Sequence, residues 1–453
     1  MKKLTAVISV VAVGAMHTLF AAPVVSGVEM KQTLPDRTAT ITYKLADAPA
    51  VITLDIETNA TDGTWSSIGG ENIQFVSGAV NRKVTADDAD EDGVCTIRWR
   101  ADDSWPNHII TNKGVRAVVT AWPLDNTPDY MVVDISASAK PGTARYYTST
   151  NFLPGTVANP LYKTTSILMR KILAKDVVWT MGSVAESGRN NNGREDAHEA
   201  QLTNNYYIGV YEVTQSQWAL IQTGRPNPSW FQFEGDKAMR PVERVCYNEI
   251  RCAANNTAAA ADYQGWPSPP YEGSFLDLLR KRTGIDFDLP SAAEWEYACR
   301  AGNGEGKWGN GSAMLSRQKC DNLSAFERYA GSVPSNESLD TNGNSTMTKQ
   351  DAITDASRGT AVVGTYAPNS WGLYDMHCNV GEWVLDWLSD DKDLLGALRG
   401  SVNTTESEHR LTKGGSWLTT WCQNARSAAV GPQGASYRYM CIGFRLACRA
   451  GLK

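Results

Sequence analysis

The chain has 453 residues, 42% of them hydrophobic, and a net charge of −6. That length exceeds one ordinary domain, so two or three are expected. The acidic balance supplies no basic face, which argues against a nucleic-acid partner.

Lys2 and Lys3 precede an apolar run over residues 4–15, and Ala21-Ala22 offers small residues for cleavage. This reads as a secretory signal peptide over residues 1–22. No later apolar run is long enough for a membrane span. The mature protein is expected to be exported: periplasmic, at the cell surface or secreted. Nine cysteines remain, an odd number that cannot all pair within one chain.

Residues 23–136 read as an all-β module. Ala39, Ile41, Tyr43 and Leu45 alternate with polar neighbours, as do Ile52, Leu54 and Ile56, then Ile97 and Trp99, then Val115, Ala117, Val119 and Ala121. Period-two runs between turn-forming clusters predict an antiparallel sandwich, immunoglobulin- or fibronectin-like by architecture. Asp88, Asp90 and Asp92 followed by Gly93 match the first half of an EF-hand loop, but Trp99 stands where a bidentate Glu is required. An acidic turn is the expectation there. Residues 137–162, rich in Ser, Thr, Pro and Gly, read as a linker, and a second domain over 163–453.

Within it, Thr214-x-x-Gln217 and Ser291-x-x-Glu294 are capping boxes, each opening a helix. Gly302 is placed to close the second. Residues 240–245 are expected as a strand leading into a helix near 248–254. Beyond Gly302 the chain is mostly irregular. His108, His198, His377 and His409 are scattered, so a histidine-held iron site is not expected.

Five signatures then fall in order: Leu289-Pro-Ser-Ala-Ala-Glu-Trp-Glu-Tyr-Ala, Trp371-Gly-Leu-Tyr-Asp-Met, Asn379-Val-Gly-Glu-Trp, Lys413-Gly-Gly-Ser-Trp and Ile442-Gly-Phe-Arg-Leu. Together with Trp179-Thr-Met-Gly, Tyr206-Tyr-Ile-Gly-Val-Tyr-Glu-Val-Thr and Arg240-Pro-Val-Glu, they resemble the formylglycine-generating enzyme (sulfatase-modifying factor) family. That family is a variant of the C-type lectin fold. The fold class expected is therefore α+β, a sandwich followed by a loop-rich lectin-like domain.

The resemblance implies structural calcium. Asn322 and Leu323, with Asp355 and Ser357, match one site; Asn379 and Glu382 are candidates for a second, where Cys378 replaces a usual glycine. It also implies a copper site between two cysteines. Ser416 matches the active-site serine and Cys422 the second cysteine, but Thr419 stands where the first belongs. Soft Cu(I) favours a pair of thiolates, so a non-catalytic, ligand-binding protein is expected. Its display segment over 417–441 offers Trp417, Trp421, Gln423, Asn424, Gln433, Ser436, Tyr437, Arg438 and Tyr439. Aromatic, amide and Arg side chains suit an extracellular or periplasmic protein or glycan ligand. The layout also resembles the target proteins of diversity-generating retroelements. The alternative is the copper- and O2-dependent oxidase acting on a sulfatase cysteine, with Cys422 and Ser416 as its catalytic groups. A third reading is an architectural role in an envelope or secreted assembly.

Overall fold

The computed structural model describes residues 22–33, 35, 37–108, 114–184, 193–252, 269–316, 320–329, 359–388, 407–419 and 421–450. Residues 1–21 of the signal-peptide segment, Asp355 and Ser357 lie outside the described residues. The fold is mostly β with a few short helices, an α+β chain rich in sheet.

The first eight strands are β1 (Val24–Gln32), β2 (Thr38–Ala46), β3 (Ala50–Asn59), β4 (Trp65–Ser67), β5 (Val76–Gly78), β6 (Arg82–Val84), β7 (Val94–Arg100) and β8 (Val115–Trp122). They form two antiparallel sheets: one in the order β1-β2-β7-β5, the other β4-β3-β6 with β8 also paired to β3. Alternation decides what is buried between them. Ala39, Ile41, Tyr43, Ile97 and Trp99 from one sheet meet Ile52, Leu54, Ile56 and Val119 from the other. Val51 falls on the opposite face of β3 and joins the core of the second unit. The acidic turn is a turn: Asp88 takes the Arg82 guanidinium on both oxygens, and Asp90 Oδ1 accepts the Asp92 and Val94 N–H groups. The short helix α1 (Ala101–Ser104) follows β7.

Strands β9 (Tyr130–Asp134) and β10 (Arg145–Tyr147) do not join those sheets. They pair with β11 (Ser166–Ile172), β14 (Tyr206–Gly209) and β19 (Ala447–Arg449) in the order β10-β9-β11-β14-β19. The segment expected as a linker thus supplies a strand to the second unit's sheet. Its polar composition hides the pairing because Tyr146 and Tyr147 are its only large buried residues before Leu153. Strands β12 (Val178–Met181) and β13 (His198–Gln201) form a separate ribbon.

Both capping boxes form. Thr214 opens α2 (Gln215–Ile221), which buries Trp218 and Ile221, and Ser291 opens α5 (Ala292–Arg300), which ends on left-handed Ala301. Between them lie α3 (Tyr247–Arg251) and α4 (Phe275–Thr283). Residues 240–245 make a single bridge, Thr214 to Pro241, rather than a strand. The small helix α6 (Asp321–Ser324) precedes the last sheet, ordered β17-β16-β15-β18. Its members are β15 (Gly381–Trp387), β16 (Arg410–Lys413), β17 (Gly431–Gln433) and β18 (Ile442–Gly443).

Candidate functional site

The signatures converge on strand β15. Glu382 is paired across from Lys413 on one side and Gly443 on the other. Two residues past Gly443, Arg445 places its guanidinium on both Glu382 oxygens, at 2.6–2.8 Å, and Trp295 Nε1 donates to Glu382 Oε2 at 2.6 Å. Neighbouring Lys413 and Arg300 share the buried Glu296. Burial alone would raise the Glu296 pKa, but Lys413 and Arg300 hold it below the usual value. These interlocked pairs give a loop-rich region its rigidity.

Asn379 is equally committed. Its Oδ1 accepts the Ala361 N–H at 2.8 Å and its Nδ2 donates to Glu212 at 2.7 Å. Asn379 itself takes the left-handed conformation, φ 65°, which Asn tolerates, while its neighbour Cys378 does not. With both side chains consumed, Asn379 and Glu382 do not fit a calcium site. Asn322 differs. Its Nδ2 donates to the Ala313 carbonyl at 2.6 Å, and its Oδ1 is buried without a partner. An orphaned hard oxygen fits a calcium ligand. The Leu323 carbonyl beside it already accepts from Phe326 and Glu327.

The Lys413-Gly-Gly-Ser turn follows β16. Gly415 has φ 71°, and a Cβ there would lie 3.0 Å from Thr419 Oγ1. The turn therefore folds Thr419 back so that its hydroxyl accepts the Ser416 N–H at 2.8 Å. A hard, already bonded hydroxyl at 419 does not fit a copper ligand. Ser416 meets the Cys441 thiol, and its backbone N–H meets Cys378. Cys422 faces elsewhere. Its thiol touches Cys320 and the Tyr329 hydroxyl, inside a buried group with Trp308, Phe326, Cys378 and Ala425. Burial and the Cys320 contact push the Cys422 thiol up to about 12. Sequence reasoning expected one sulfur at this point; the fold brings a second from α6's N-terminus, more than ninety positions earlier in the chain.

The expected display segment divides. Trp417 is 1% exposed, edge-on to Phe231 at 5.1 Å, with its Nε1 donating to the Met440 carbonyl. It is a buried anchor and not part of the surface. Trp421 and Tyr437 are 45% and 42% exposed. Asn424, Ser436 and Arg438 are exposed, and Gln423, Gln433 and Tyr439 half-buried. Tyr437 stacks on Tyr439 at 5.8 Å, and Arg438 pairs with Glu249 at 3.0 Å. Two residues missed by sequence reasoning extend this face. Arg244 donates its backbone N–H to the Tyr439 carbonyl and holds its guanidinium over Trp230 at 5.2 Å. Arg244 directly follows the Arg240-Pro-Val-Glu signature, the one sequence signal near either residue.

Residues 168–450 match the sulfatase-modifying factor enzyme 1-like domain, well over half of the chain. The chain belongs to this family. Among its relatives, the chaperone protein LppX of Paenibacillus barcinonensis is 28% identical over 48% of this chain and 70% of its own length. The formylglycine-generating enzyme of Thermomonospora curvata is 32% identical over 36% of this chain and 49% of its own. That of Mus musculus is 29% identical over 40% of this chain and 44% of its own. The chain thus spans about half the length of the two enzymes. Among solved structures, Treponema denticola variable protein 1 aligns over 63% of this chain and 96% of its own, at 21% identity and a TM-score of 0.43. PvdO from Pseudomonas aeruginosa aligns over 66% of this chain and 99% of its own, at 23% identity and a TM-score of 0.44. Among the described residues, no helix is long and apolar enough to cross a membrane.

Proposed function

We propose that this family member is an exported binding protein whose lectin-type scaffold presents the face around Trp421, Tyr437, Arg438 and Tyr439 to an extracellular or periplasmic protein or glycan. One observation carries the reading: large aromatic side chains stand half in solvent on a segment whose root, Trp417, is locked in the core. Anchored, pre-ordered aromatics with an adjacent Arg give contact area at little entropic cost. The unit before it, a two-sheet module read as immunoglobulin- or fibronectin-like, serves as spacer or dock. Calcium at Asn322, completed by Asp355 and Ser357, would brace the scaffold. A screen of the purified protein against glycan and envelope-protein arrays tests the reading. Binding that Trp421→Ala or Tyr437→Ala reduces at least about tenfold supports it; binding indifferent to both overturns it. An adjacent reverse transcriptase with an imperfect repeat of the 3′ coding end would extend it to a diversified ligand surface.

One observation favours the family oxidase instead, the contact between Cys422 and Cys320. It returns a second sulfur to a pocket that Thr419 leaves short. Copper content of the purified protein and copper-dependent conversion of a C-x-P-x-R peptide test it. Absence of both removes that reading.

A further inference from the structure

The nine cysteines stand as thiols in this structure, and one pair is built differently from the rest. Cys320 is held from several directions. Its backbone N–H donates to Tyr329 Oη at 3.2 Å, Tyr329 Oη donates back to its carbonyl at 3.0 Å, and its Sγ donates to the Ser316 carbonyl at 3.1 Å. The same Tyr329 hydroxyl touches the Cys422 thiol. Cys422 opens the short turn Cys422–Ala425 and is wholly buried. Tyr329, Cys320 and Cys422 thus share one buried apolar group, in which the two thiols interact. Cys378 shares the same apolar group but is engaged by the Ser416 backbone.

We propose that Cys320 and Cys422 are a disulfide-forming pair that ties the start of α6 to the base of the Trp421 segment. Two S–H bonds break and one S–S bond forms. Two protons leave, and two electrons pass to a disulfide of an oxidising protein or small molecule, which is reduced to two thiols. Cys320 and Cys422 are both buried in the folded chain, out of reach of an external oxidant. Bond formation therefore belongs to folding, when the sulfurs meet while still open to the oxidant. The closed loop spans about 100 residues, a length at which restriction of the unfolded chain is large. This inference goes beyond the binding reading and is independent of what the exposed face recognises.

The full chain, refolded in a glutathione redox couple and alkylated, is digested without reduction and mapped by mass spectrometry. A linked peptide pair carrying Cys320 and Cys422, lost on reduction, is expected. The melting temperature of the oxidised protein should exceed that of the reduced one by about 5 °C. Cys320→Ser and Cys422→Ser should each abolish that difference. Complete alkylation of both thiols after oxidative refolding, a Cys378 to Cys422 link in place of the expected one, or one copper ion retained per chain on an unoxidised pair would each overturn the proposal. The wild-type map decides even if neither variant folds.

Discussion

Arg445 meets Glu382 at 2.6 Å with both side chains closed off from solvent. The guanidinium also donates to the Gly209 and Tyr374 carbonyls, so one ion pair joins β14, β15 and the loop before β15. Removing one partner leaves a buried charge alone. Glu382→Gln is expected to cost about 3–5 kcal/mol in chemical denaturation. Replacing both partners with apolar residues, Glu382→Leu with Arg445→Met, should cost clearly less. Equal losses in the single and double variants would show that the pair acts only as filling.

Trp417 and Trp421 separate scaffold from surface. Trp417→Ala deletes a buried ring packed on Phe231 and should destabilise the protein by about 3–5 kcal/mol. Trp421→Ala should change stability by less than about 0.5 kcal/mol while weakening ligand binding. Thermal melts beside the binding assay distinguish the two, and a large stability loss at 421 would contradict its placement.

Glu243 predicts a pH dependence. Burial pushes its carboxyl up to about 8, although the Phe231 and Trp230 N–H groups oppose that rise, and its Oε2 is buried without a partner. The folded chain then keeps a proton that the unfolded chain has already released. Stability from this group is present at low pH and is lost as pH climbs from the ordinary carboxylate range through about 8. Asp375, raised by burial to about 6, adds the same trend over the lower part of that window. Glu243→Gln carries no titrating proton. Its melting temperature should fall less than that of the wild type between about pH 5 and pH 9; parallel curves would exclude Glu243 as the source.

Calcium is expected to act through Asn322. Added calcium should raise the melting temperature of the wild type and a chelator should lower it. Asn322→Ala should lose that response, because the buried Oδ1 is the only part of the side chain without a protein partner. An unchanged calcium response in Asn322→Ala would move the ion elsewhere. Glu382→Gln, by contrast, should leave the calcium response intact.

Local chemistry was legible without coordinates. The Ser291 and Thr214 capping boxes operate over three residues, and the strands of the first unit show their buried faces through a period of two, so short stretches carry the whole signal. The family signatures likewise sit in their expected order along one stretch. What needed the tertiary structure was every meeting of segments distant in the chain. Trp417 and Trp421 are equally aromatic on paper, and it is the positions of Phe231 and Met440 that make one a core residue. Glu382 reads as a possible metal ligand until Arg445 and Trp295 occupy its oxygens. Cys320 has no local feature that announces Cys422, because irregular loops have no periodicity and their side chains meet only when the sheets beneath them close.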